Sequence, residues 1–173
     1  PTTGIADRCA PSLRPQVLET IPGLADFLAA GSVVVATDYP GLGTPGMHPY
    51  LVGISEGRAV LDSVRAARAL PGAVAGTRFA TWGHSQGGHA ALFAATLAPE
   101  YAPELQLVGA AGAAPATELA ATLGDDIGTG VGRVLAAYAI ASWSDVYNIP
   151  LEGLMSPEAA AGTRAVAEDC IEG

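Results

Sequence analysis

The sequence predicts an α/β fold built on a parallel sheet. Three observations carry this. Apolar or β-branched runs recur at residues 32–38, 78–83 and 105–114, and helical patterns lie between them. The 173 residues are half hydrophobic and 14% charged, which suits one domain with a real core and excludes a disordered chain. Breakers punctuate the runs, with 22 Gly and 13 Pro.

Residues 1–15, rich in Thr, Gly and Pro, read as a surface loop. "QVLETIPGLADFLAAG" reads as short helical pieces broken at Pro22-Gly23 and stopped at Gly31. "SVVVATD", residues 32–38, is a continuous β-branched run expected to be a buried parallel strand. "YPGLGTPGMHPY" is a loop. From Glu56 to Leu70, Val60, Leu61, Val64 and Ala67 share one helical face, while Arg58, Asp62, Arg65 and Arg68 take the other. Ser55 is the expected N-cap, and Pro71-Gly72 ends the helix. A strand "RFATWG", a sharp turn and a helix from about Gly87 to Leu97 follow. "LQLVGAAGAA", residues 105–114, is expected to be a third buried strand. Beyond residue 115 the pattern turns helical. The division expected is a core segment at 1–115 and a helical cap or insertion at 116–173.

The net charge of −9 argues against nucleic acid or an anionic membrane as partner, since both attract basic surfaces. No apolar run reaches the roughly 18 residues that span a bilayer. All eight basic residues are Arg, read here as the mark of a GC-rich bacterial genome. The chain opens on Pro1 with no leader in view, and reads as mature, trimmed or fragmentary. Cys9 and Cys170 lie near opposite ends. A bridge between them and a pair of free buried thiols are both open at this point. With three His and no C-x-x-C pair, no metal site is expected.

The chemistry concentrates in "FATWGHSQGGHAALFAATLA". Gly83-His84-Ser85-Gln86-Gly87 has the pattern G-x-S-x-G. The pattern is short, and its context is the stronger signal: a strand ends before the serine and a helix begins after it, as a nucleophile elbow requires. Side chains at Gly83 and Gly87 are expected to clash where strand and helix pass. The Gln86 backbone N–H stands where an oxyanion donor is needed. The alternative is a Gly-rich turn with a capping serine. His84 is adjacent to Ser85 on a tight turn, and His89 lies on the first turns of the helix. Neither is expected to be the base.

These residues, with "TTGIADRCAPS", "VVVATDYPGLGTPGMHPYLVGISEGRAVLDSVRAAR" and the looser "VGAAGAAPATEL", make the chain resemble the secretory lipase family of α/β-hydrolases. The likeness covers residues 2–97 nearly continuously. It implies the α/β-hydrolase fold in part, about three parallel strands with flanking helices and the start of a helical cap. It implies a secreted carboxylic ester hydrolase, lipase or esterase, with no cofactor. Ser85 resembles the family nucleophile and Gln86 one oxyanion donor. Asp38 matches the place of the second oxyanion contact, or else pins the Pro-Gly loop after it. Cys9 and Cys170 look like a family disulfide pair. His48 is expected to shape its loop or to line the acyl pocket with Tyr39 and Tyr50.

In such enzymes acid and base follow the nucleophile in the chain. No histidine follows His89 here. The expectation is that His and acid come from outside this chain, on a second polypeptide segment. An acyltransferase of the same fold, and an inactive hydrolase-like module that binds a ligand or partner, are the alternatives.

Overall fold

The computed structural model describes residues 2–171. Its sheet has two parallel strands, β1 (Arg78–His84) and β2 (Gln106–Ala113), paired from Arg78 with Gln106 to His84 with Ala113. One irregularity falls between Phe79 and Ala80. Among the described residues six α-helices accompany them: α1 (Leu24–Ala29), α2 (Gly53–Ala69), α3 (Gln86–Tyr101), α4 (Leu119–Asp126), α5 (Gly130–Val146) and α6 (Pro157–Glu168). The crossover from β1 through α3 to β2 is the unit that a parallel pair demands.

The β-branched run at 32–38 is not a strand. Residues 32–39 have no regular structure, and no backbone hydrogen bond joins 33–38 to β1 or β2. Val33 and Val35 are exposed. Propensity makes a strand only where a neighbour can take up its N–H and C=O groups. The expected third strand also differs. β2 is largely exposed rather than buried, because α3 covers one face of the pair and the other is open. β1 shows the same one-sidedness: Phe79 and Thr81 are buried, while Trp82 is 45% exposed.

α2 starts two residues before the expected Ser55 cap. Val52 holds the cap position without a side-chain bond, and the Glu56 carboxylate accepts the Leu51 N–H at 3.1 Å instead. α2 lies along α3, and a Cβ at Gly57 would come within 2.9 Å of the Ala94 nitrogen. Arg65 ties the pair from outside, bonding Glu104 at 2.6 Å, Asp62 at 2.8 Å and the Tyr101 carbonyl at 2.8 Å. Leu61, Phe79, Ala94, Ala98 and Leu105 form the core beneath.

The segment after residue 115 is helical. It shares a core with the front of the chain: Ile5, Tyr50 and Leu51 cluster with Tyr138, Ala139, Ala141 and Ala167. Trp143 donates to the Tyr50 carbonyl at 2.9 Å, and Ser142 Oγ accepts the Tyr50 N–H at 2.7 Å. Cys9 and Cys170 form a disulfide across a sequence separation of 161. Closing so long a loop restricts the unfolded chain, so reduction or Cys170→Ser should lower unfolding free energy by about 2–5 kcal/mol. Urea titration with and without reductant measures this. An unchanged midpoint would mean that the Ile171 N–H to Thr3 carbonyl bond and the surrounding core hold the ends together unaided.

Candidate functional site

Ser85 joins β1 to α3 with φ 54° and ψ −120°, a conformation that a residue with a side chain adopts only under constraint. The constraints are visible. Its N–H bonds the Ala113 carbonyl of β2 at 2.9 Å, and its carbonyl accepts the His89 N–H at 3.0 Å. A Cβ at Gly83 would sit 2.0 Å from the Gly87 carbonyl oxygen, so only glycine fits there. Gly87 itself faces open space, contrary to the expected clash. The second close approach belongs to Gly88, where a Cβ would meet Pro115 at 3.1 Å and the Gly83 oxygen at 3.2 Å. Gly83 meets the Gly87–Gly88 peptide of the helix, and of these two helix glycines only Gly88 has its Cβ position crowded.

Half-buried Ser85 opens on a cavity of about 210 Å³. Tyr50, Leu51, Pro115, Leu119, Leu123 and Leu135 give it largely apolar walls, and Asp126 adds a carboxylate. The free N–H groups of the first turn of α3 begin at Gln86, giving this end of the helix positive character.

The other expected site residues separate into two sets. Tyr50 lines the cavity, and burial pushes its phenol pKa up to about 12. Tyr39 and His48 lie outside that lining. They stack on each other, with ring centroids 5.4 Å apart; His48 is buried and Tyr39 half-buried, and His48 Nε2 meets the Gln86 side chain. Asp38 accepts the Ser12 N–H at 3.1 Å and so ties the run at 32–39 to the N-terminal turns. No histidine ring hydrogen-bonds the Ser85 hydroxyl among the described residues. His48 and His89 are committed to other partners, and His84 is exposed.

The commitment of His48 and His89 centres on Glu56, a residue read from sequence only as the start of a helix. Its side chain is fully buried. Oε1 accepts from Gln86 Nε2 at 2.8 Å and from the Leu51 N–H, and Oε2 accepts from His89 Nδ1 at 2.7 Å. His48 Nδ1 donates to the Pro40 carbonyl at 3.0 Å, leaving Nε2 to accept the second amide proton of Gln86 at 2.7 Å. Both Gln86 amide protons are therefore used. A signal for this was present: Glu56 lies four residues before Val60, on the apolar stripe of α2. A carboxylate on a buried face needs partners.

Burial pushes the Glu56 pKa up, but the hydrogen bonds its carboxylate accepts from His89 and Gln86 prevail and hold it below the usual carboxylate range. A depressed folded value stabilises the protein at pH above the unfolded carboxylate range, about 4.3. That contribution is lost as pH falls through the folded value. Urea midpoints taken from neutral pH to about pH 3 should fall more steeply for wild type than for Glu56→Gln. Parallel curves would contradict this.

Among the described residues, no group of three or more His, Cys, Asp or Glu side chains could hold a metal ion. None of the helices described is long and apolar enough to cross a membrane.

A strand–serine–helix turn of this geometry beside a parallel sheet defines an α/β-hydrolase-like core. The structure of Candida antarctica lipase A superposes on 96% of this chain with a TM-score of 0.78 and 23% identity, using 41% of that chain. Its closed-state structure gives a TM-score of 0.65 and 26% identity, covering 83% of this chain and 35% of that one. The secretory lipase family profile matches residues 18–147. This chain belongs to the secretory lipase family. Lipase A of Moesziomyces aphidis is 36% identical over 54% of this chain and 20% of its own length. Lipase 6 of Candida albicans is 33% identical over 94% of this chain and 38% of its own length. The chain thus spans a fifth to two fifths of these curated relatives. Both are fungal, which lends no support to the bacterial reading of the arginine bias. Both carry the matched segment within one longer chain, so a separate second polypeptide finds no support either.

Proposed function

We propose that this chain carries the nucleophile segment of a serine carboxylic ester hydrolase, a lipase or esterase. The observation that carries the reading is Ser85, strained at φ 54° on the strand-to-helix turn and opening on an apolar-walled cavity. Ser85 attacks the acyl carbonyl, and the Gln86 N–H with the segment around Asp38 stabilises the tetrahedral oxyanion. The alcohol leaves, water hydrolyses the acyl-enzyme, and serine is regenerated. This route uses no metal or organic cofactor. The base and its orienting acid belong to a part of the protein outside these 173 residues, since the histidines here are otherwise placed. The long-range disulfide suits an oxidising, extracellular setting.

The test is turnover of p-nitrophenyl butyrate by the full-length protein, with and without a competing primary alcohol. Butyrate release that dominates in the presence of alcohol supports a hydrolase. Predominant ester exchange would reassign the same site to acyl transfer. A folded protein that neither turns over the ester nor reacts with a phosphonate would contradict both.

A further inference from the structure

We propose that Glu56 and the Gln86 side chain form a positioning device that fixes the oxyanion-donating backbone N–H of Gln86 and the cavity wall at Leu51 to one another. This rests on the ester-hydrolase reading of Ser85. Gln86 follows the nucleophile directly, so any rotation of its backbone moves the donor relative to the developing charge. Its side chain points away from the cavity, where both amide protons are held, one by Glu56 Oε1 and one by His48 Nε2. Glu56 Oε1 also accepts the N–H of Leu51, a non-glycine residue at φ 55° that lines the cavity. One buried oxygen therefore holds both the residue that follows the nucleophile and a strained residue of the cavity wall. His89, on the next turn of α3, fixes the other oxygen of the same carboxylate. Three residues attach to the pair, His48 and Leu51 from the loop before α2 and His89 from α3.

A core that only needed filling would be served by an apolar side chain at position 56, without a buried charge. Directional bonds to the two residues that border the reacting serine and its cavity are what a carboxylate adds. Neither Glu56 nor the Gln86 amide touches substrate in this scheme. Both act through the backbone they hold.

The test compares wild type, Ser85→Ala, Gln86→Met and Glu56→Gln in the full-length protein. Gln86→Met keeps the backbone N–H, the side-chain length and good helix propensity while removing both tethers. It should lower kcat for p-nitrophenyl butyrate by about 10–100-fold with KM within about threefold. Inhibition by butylboronic acid, which forms a tetrahedral adduct on serine, should weaken by a similar factor. Glu56→Gln keeps an oxygen for Gln86 and Leu51, and His89 can turn an unprotonated Nδ1 toward the new amide. It should retain kcat within about fivefold of wild type. Thermal unfolding of each variant separates positioning from stability. An unchanged kcat and boronate affinity in Gln86→Met would overturn the proposal. So would losses in Gln86→Met that fall equally on kcat, KM and thermal midpoint. If Ser85→Ala remains active, it is the hydrolase reading that fails, and the two failures are distinguishable.

Discussion

Ser85→Ala is expected to lower kcat for p-nitrophenyl butyrate by roughly 10³–10⁶-fold while leaving the fold intact. The substitution removes one oxygen. Alanine meets the same positive φ that serine already tolerates, and the N–H and carbonyl bonds to Ala113 and His89 are backbone bonds that persist. Its effect on stability should therefore stay within about 0.5 kcal/mol. The residual rate would come from the cavity and the Gln86 N–H, which still bind and polarise the ester. Activity within tenfold of wild type, in a variant with an unchanged melting midpoint, would place the nucleophile elsewhere.

The second large effect is expected at Gly83. An alanine Cβ would lie 2.0 Å from the Gly87 oxygen, 2.2 Å from the Gly87 carbonyl carbon and 2.7 Å from the Gly88 nitrogen. All three are backbone atoms of α3, so no rotamer change relieves the overlap. Helix and strand must separate, which pulls apart Thr81 Oγ1 and the Ala91 carbonyl and disturbs the Ser85 turn. Gly83→Ala should cost about 4 kcal/mol or more and abolish esterase activity. Gly87→Ala, one turn of the motif away, meets nothing within 4 Å and has no positive φ. Its stability should change by no more than about 1 kcal/mol, with helix propensity favouring alanine. Urea unfolding of the two variants reads the contrast. Equal stability would mean that the close crossing of β1 and α3 is not as tight as described.

Much of this site was legible in the residues. The strand, serine and helix at 78–101 announce themselves because the turn is local: a strand pattern, two flanking glycines and an Ala-rich helix need no distant partner to be read. The amphipathic α2 was legible for the same reason. What escaped depended on tertiary company. Residues 32–38 have strand composition but no pairing partner, so propensity alone misled. Which glycine carries the close approach, Gly87 or Gly88, depends on where α3 crosses β1 and not on the motif. His48 and Tyr39 sit in the loop expected to run near the site, yet Gly41 folds that loop back on itself. At φ 81°, its Cβ would lie 2.5 Å from the His48 nitrogen. The fold in that loop turns His48 toward Pro40 and Gln86. Glu56 was hidden because a carboxylate at the start of a helix is ordinarily solvated or a favourable partner of the dipole. Only its place on the apolar stripe distinguished it.

The central claim is that Ser85 forms the covalent intermediate. The most direct test is to inactivate the full-length protein with a p-nitrophenyl alkylphosphonate and map the adduct by peptide mass spectrometry. The account predicts one phosphonyl group per active molecule, on Ser85, with loss of ester turnover in proportion to labelling. An adduct on another residue, or turnover that survives full labelling of Ser85, would contradict it.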